Sequence, residues 1–355
     1  MSNKKIELKE AISIGIGGMV GGGIFAVLML ALYASAFGSY APNLLELTSN
    51  KTIDAHLYAT SIILFATTIN YYSIKVVGQI ESYAVIIKLI ILLGFVVIGI
   101  YGLFGNLNLE QLAISNWKSP SSLLAAGMVI FVAYEGFELI ANAAPDIINP
   151  IKNIPKAYYY SVIFVIFLYI TIAAITVGSL PFAKIAEAQE YVLAEAAKPL
   201  LGKIGFTTIT IAALISTFSA INASLYGGSR VSYEIAEDDE LPHELTSKLW
   251  NQPIGLLITA ISTIILVNVL NLESISITGS IGFLLIFAIV NYIGFKLSKS
   301  INGNKIIPLI GFISCIIALA TLIIQQYKTN YLGILISVLI LISCFIFELI
   351  YKKQR

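Results

Sequence analysis

A single lysine, Lys88, stands in the middle of the apolar run SYAVIIKLIILLGFVVIGI. Two carboxylates, Glu135 and Glu138, interrupt a second apolar run at 131–138. Near the start, GIGGMVGGGIF packs six glycines into the eleven positions from Gly15 to Phe25. A charge inside an apolar span is expensive and marks a functional site by default. Each glycine weakens a helix by about 1 kcal/mol relative to alanine, so this run is expected to unwind locally. Unwinding frees backbone N–H groups, and the half-helix that follows turns its positive end into the gap. Broken transporter helices use that arrangement to hold a carboxylate. A break at Gly136 would likewise free carbonyls able to accept from an ammonium group. Glu135 and Glu138, three apart, would share one helix face. Lys88 is too deep to snorkel easily. Burial disfavours its charged form, which suits it to taking and releasing a proton as a cavity opens and closes. Ser216 and Ser219, in a later apolar run, are its possible hydroxyl partners. Each feature also has a structural reading. The glycines, Gly17 and Gly21 among them, would let helices pack closely. The carboxylates would cap or pair, and the lysine would stay charged against backbone carbonyls.

These residues must be positioned by membrane helices. The chain has 355 residues, 58% of them hydrophobic and 12% charged, with a mean hydropathy of +0.89. A soluble domain carries about 25% charged residues. About 20 apolar residues cross a bilayer as a helix. Ten such stretches are expected, near 11–45, 56–74, 82–104, 121–144, 158–180, 206–227, 253–270, 272–296, 306–326 and 331–350. All read as helices, because the alternation of a membrane β-barrel is missing. Irregular backbone at membrane depth survives only when buried in protein or lining a cavity. The broken segments and the buried lysine together therefore imply a transporter.

The first stretch is long for one crossing and short for two. With one crossing, fourteen of the 21 Lys and Arg residues fall on one side and six on the other, with Lys88 between. The positive-inside rule then places both termini in the cytoplasm. Residues 182–203 read as an amphipathic surface helix, and 229–241 as a cytoplasmic continuation of a span ending in an acidic loop. A net charge of +1 gives no reason to expect a nucleic-acid partner. Cys315, Cys344, His56 and His243 form neither a disulfide framework nor a metal-ligand spacing. No strand precedes the glycine run, which argues against a dinucleotide-binding fold. No catalytic dyad, cofactor or metal is expected, and the chain does not read as an enzyme.

Four strings, GGMVGGGIF, SYAVIIKLIILLGF, FVAYEGFELIANAAPDIINPIKNIPKA and INASLYGGSRVSYEIAEDDELP, occur in an order that resembles the amino acid–polyamine–organocation superfamily of amino acid transporters. The resemblance implies an all-α polytopic membrane protein with the inverted five-plus-five repeat (LeuT-like) fold. It implies one transmembrane domain over 1–355, with two extra C-terminal helices at 306–350. The substrate would lie between the broken first and sixth helices. Backbone groups at Gly21, Gly22, Gly23 and Ile24 would hold its carboxylate, and the carbonyls of Val132, Ala133 and Glu135 its ammonium. Phe137 matches the aromatic gate. Lys88 matches the lysine of sodium-independent members, which takes the place of a sodium ion beside the first and eighth helices, with Ser216 and Ser219 as its hydroxyl neighbours.

Members of this superfamily have twelve spans, and this chain reads as ten. The sequence after Leu28 matches the end of the third helix, so the second helix and most of the third are missing, with a junction near Leu28. The expected function is sodium-independent amino acid transport by alternating access, proton-coupled or exchanging. The partners are then an amino acid, protons and the lipid bilayer. The alternative is a non-transporting shortened paralogue, inert or acting as a membrane scaffold or sensor. The lysine-rich, arginine-poor composition suggests a prokaryotic source and a plasma-membrane location.

Overall fold

The computed structural model describes residues 26–72, 74–103, 109–134, 140, 147–237, 246–249, 252–299 and 303–354. Helix α1 (Ala26–Tyr40) runs unbroken through Leu28 and ends in a 3-10 turn, Ala41–Asn43. Pro42, which has no N–H to donate, sits in that turn and stops the helix. Of the expected first span, 11–45, the described helical part thus ends at Asn43, and residues 11–25 lie outside the described residues. Asn50 caps α2 (Lys51–Tyr72) by accepting from Thr52 N at 2.9 Å. Asp54, in the first turn of α2, gathers the incoming loop. Its carboxylate accepts from the amides of Leu47 and Thr48, both at 2.9 Å, and from the Thr48 hydroxyl at 2.7 Å.

Next come α3 (Ile74–Leu103), α4 (Pro120–Val129) with a 3-10 continuation (Ile130–Tyr134), and α5 (Pro150–Ser179). Then follow α6 (Phe182–Ala188), α7 (Val192–Glu237) and a two-residue antiparallel ladder, β1 (Lys248–Leu249) with β2 (Gln252–Pro253). The chain closes with α8 (Gly255–Val269), α9 (Leu272–Leu297), α10 (Ile306–Thr329) and α11 (Tyr331–Gln354). Among the described residues, five helical stretches are long and apolar enough to cross a membrane: Lys51–Tyr71, Pro150–Ser179, Phe182–Leu225, Leu272–Leu297 and Ile306–Thr329. Three shorter apolar helices accompany them, at Ile86–Gly102, Pro120–Tyr134 and Gly255–Val269.

The helices gather into two compact units. The first takes α1, α2, α3 and α5 to α8. Within it α1 packs on α2, α7 and α8, and Leu30, Ala31 and Ala34 are fully buried. Gly38 brings α1 onto the Ala55 carbonyl of α2, with Ala59 alongside. Small residues of this kind let membrane helices approach backbone to backbone. Polar links reinforce the packing. Asn70 of α2 donates to the Asn222 side chain of α7 at 2.9 Å, and Asn268 of α8 donates to Thr60 at 3.0 Å. Gln111 donates to the carbonyls of Val177 and Leu180, closing the end of α5.

Residues 182–203, expected as one amphipathic surface helix, form two helical pieces with Lys184, Glu187 and Lys198 exposed. Helix α6 is followed by a 3-10 turn (Gln189–Tyr191), and the first part of α7 buries Ala194, Ala196 and Ala197. These alanines pack with Tyr40, Phe95, Ile175, Leu180 and Ile209. Helix α7 then bends at Gly202, where φ is 62° and ψ is −149°. Only glycine reaches that region without strain.

The second unit comprises Lys118–Ala133 and Leu270–Arg355, hence α4, α9, α10 and α11. Its centre is α9, 61% of whose most apolar window is buried, against 11% for α10. Helix α10 is strongly apolar and mostly exposed. Ile277, Ile281 and Leu284 of α9 meet Leu322 of α10, and Met128, Val129 and Phe131 pack against them. Hydroxyls tie α9 to α11. The Ser337 hydroxyl donates to Thr278 Oγ1 at 3.2 Å, and that of Ser274 to Asn330 Oδ1 at 3.0 Å.

Two substitutions test this packing by thermal unfolding in detergent. Gly202→Ala has open space for its methyl, so its effect isolates the backbone; it is expected to destabilise by about 1–3 kcal/mol. Gly38→Ala places a methyl against a carbonyl that cannot rotate away, and an overpacking loss of about 1–3 kcal/mol is expected. An unchanged midpoint for either variant would contradict the geometry described for it.

Candidate functional site

Helix α4 starts firmly and ends early. Ser119 caps it, accepting from Ser122 N at 3.3 Å, and Pro120 occupies the first turn, where a missing N–H costs nothing. After Val129 the backbone tightens from an α-helix into the 3-10 turn Ile130–Tyr134. The change falls at the start of the run that the sequence marks for a break, and it includes Val132 and Ala133. Tightening redirects the backbone donors and acceptors that a continuing α-helix would pair four residues apart.

One side chain meets these groups. Ser280 of α9, itself fully buried, donates its hydroxyl to the Val129 carbonyl at 3.1 Å. The same oxygen accepts from Val132 N at 3.2 Å. The hydroxyl therefore bonds a carbonyl and an amide three residues apart, the spacing that a 3-10 turn pairs, and so braces the turn from α9. Its neighbour Gly279 leaves room for the Val132 side chain, since a β-carbon there would lie 3.0 Å from Val132 Cγ2. Val132 is buried, and Phe131 sits edge-on to Phe287 of α9 at 6.1 Å between ring centroids. On the far side of the turn, Tyr134 meets Tyr169 of α5 edge-on at 5.2 Å. Unit two ends at Ala133 and unit one resumes at Tyr134, so the chain passes from one to the other within the turn.

Lys88 lies on α3 in the first unit and is only 5% exposed. It is one turn before Ile91 and two before Phe95, both of which join the core cluster that α7 lines with Phe206, Ile209, Ala213 and Leu214. Ser216 and Ser219 follow Ala213 on α7, Ser216 half-buried and Ser219 fully buried. With Asn222 they form a polar stripe three residues apart, and Asn222 meets Asn70 of α2. Lys88, Ser216 and Ser219 thus belong to two helices that pack directly on each other. Val132 and Ala133 belong to the other unit. Gly21, Gly22, Gly23, Ile24, Glu135, Phe137 and Glu138 lie outside the described residues. Among the described residues, no three His, Cys, Asp or Glu side chains gather to hold a metal ion.

The sequence reading passed over Ser280, Asn70 and Asn222. Ser280 stands in TGSIGF, a cluster of small residues in an apolar helix, which signals close helix approach. The two asparagines are amides inside apolar helices, which also seek polar partners there.

Residues 19–345 match the family model described as amino acid permease. An uncharacterised protein of Methanocaldococcus jannaschii is 34% identical, the match covering 92% of this chain and 74% of that protein. The inner membrane transport protein YbaT of Escherichia coli K12 is 26% identical, over 95% of this chain and 80% of its own length. The γ-aminobutyric acid permease of Bacillus subtilis is 30% identical over 53% of this chain and 42% of that permease. With apolar helices able to span a membrane and a family match over nearly the whole length, the chain is a multi-pass membrane protein of the amino acid permease family, within the amino acid–polyamine–organocation superfamily of amino acid transporters.

Proposed function

We propose that this chain is a sodium-independent secondary transporter of amino acids, working by alternating access and either coupled to protons or exchanging one amino acid for another. The observation that carries this reading is the turn at Ile130–Tyr134, where an apolar helix gives up α-helical pairing at the residues assigned to the substrate ammonium. In this reading the carbonyls of Val132, Ala133 and Glu135 receive the ammonium. Gly21, Gly22, Gly23 and Ile24 hold the carboxylate, and Phe137 closes over the substrate. The inverted five-plus-five repeat supplies the two broken helices. Relatives named for γ-aminobutyric acid, branched-chain and aromatic amino acids support the substrate class and leave the side chain open.

Lys88 carries the coupling. It is buried on the stripe of α3 that faces α7, one turn from the cluster that leads to Ser216 and Ser219. A permanent charge there is expensive, and a proton that leaves when the cavity closes relieves it. The lysine also supplies the cationic group that a sodium ion would otherwise provide, which supports sodium independence. The chain is read as a shortened member lacking the second helix and most of the third. The unbroken course of α1 through Leu28 accommodates such a join. Both termini are assigned to the cytoplasmic side of the plasma membrane, from the lysine bias of the loops.

Uptake of labelled amino acids into liposomes holding this chain, under an imposed inward proton gradient, tests the reading. Gradient-driven accumulation is expected in the wild type. Lys88→Gln is expected to lower it at least about tenfold, the loss that follows when a group needed for coupling is replaced. Full pH-dependent uptake by Lys88→Gln would remove the lysine from the mechanism. Counterflow without a gradient separates exchange from proton coupling.

A further inference from the structure

The hydrogen bonds of Ser280 carry an inference beyond family membership. Gly127 weakens the end of α4, but it lies two residues before the α-helix stops at Val129 and does not by itself set the turn that follows. Ile130 is followed by Phe-Val-Ala-Tyr, with no proline or glycine before Gly136. Sharp departures from helix geometry arise at proline, at glycine or serine pairs, at bulges, or where a side chain enters the ladder. A side chain from another helix meets the backbone here. The Ser280 hydroxyl donates to Val129 O at 3.1 Å and accepts from Val132 N at 3.2 Å. It is fully buried, and the adjacent Gly279 leaves the space that the Val132 side chain fills. Phe131 is fixed from the same helix through Phe287. The geometry points to Ser280 as a positioning residue. It holds the α4 turn in its broken form and so sets where the Val132 and Ala133 backbone is presented to substrate.

This rests on the proposed function for its link to substrate, but not for its link to the turn. Removing the hydroxyl takes one hydrogen bond from the buried Val132 N–H and one from the Val129 carbonyl, leaving the turn to its own i→i+3 pairing, and the turn is expected to loosen. Thr278, two residues earlier on α9, serves as the control. It bonds the Gly333 carbonyl and Ser337 of α11 and has no bond to α4.

The test compares Ser280→Ala with Thr278→Val in the full chain in lipid nanodiscs and liposomes. Backbone hydrogen exchange is read over 130–134, and KM and maximal rate are read for uptake. For Ser280→Ala, exchange in 130–134 is expected to quicken about tenfold. KM is expected to rise about tenfold, equivalent to 1.4 kcal/mol, with maximal rate changed less than twofold. Thr278→Val is expected to leave both readouts within twofold while lowering the thermal midpoint. Unchanged exchange in Ser280→Ala, or an equal rise in KM for both variants, overturns the inference. If Ser280→Ala does not fold, Ser280→Cys, with a weaker donor of similar size, is expected to give the same changes at smaller amplitude. If the wild type takes up no amino acid, the transport reading fails, and the exchange measurement alone decides the role of Ser280.

Discussion

Backbone polar groups at membrane depth have no water to fall back on, and the structure is organised around that constraint. At two places where the described chain leaves regular helix geometry, a side chain from elsewhere meets the backbone groups, and at a third a local cap does so. Ser280 does so for the turn after α4. Gln111 does so for the end of α5, and Asn271 caps α9 by accepting from Ser274 N at 2.8 Å. An unmet N–H or C=O in hydrocarbon costs several kcal/mol, so these partners decide where a helix is allowed to break. The break in α4 is therefore a property of α4 and α9 together.

The two units solve the burial problem separately. The first is held by small residues that bring helices close, Gly38 against Ala55 and the alanines of the early part of α7 against Ile175 and Phe95. Amide and hydroxyl links such as Asn70 to Asn222 then fix its helices in register. The second is built round α9, whose buried faces are rich in Ser, Thr, Gly and Ile, while α10 turns isoleucines outward. The lysine assigned to coupling belongs to the first unit and the described part of the substrate turn to the second. The chain passes between them at Ala133 and Tyr134, within the turn itself.

Much of this was legible in the sequence for local reasons. Apolar length alone marks the spans, because about 20 residues of hydrocarbon-compatible helix cross a bilayer whatever they pack against. Lys88 was identified because a charge among Ile, Leu and Val must be buried in protein. The run at 131–138 was identified because carboxylates and a glycine interrupt an apolar pattern, and the described helix does tighten at Ile130. The expected surface helix at 182–203 forms in two pieces, with Lys184, Glu187 and Lys198 exposed on it. Its Ala, Glu and Lys composition suits a solvated helix, yet its alanines are small enough to be covered by Tyr40, Ile175 and Leu180, which only the fold brings to them.

By itself the sequence determined the class of the molecule: all-helical, membrane-spanning, with a buried lysine and an interrupted span, and a family pattern that makes it an amino acid permease. Those properties depend on composition and on spacing within one segment. Tertiary structure alone decided what holds the interruption in place. Ser280 lies 148 residues from Val132, and Asn70 lies 152 from Asn222. A serine or an asparagine in an apolar helix announces only that it wants a partner. Which backbone or amide it meets depends on how helices far apart in the chain pack, and packing is a property of shape that no single segment contains.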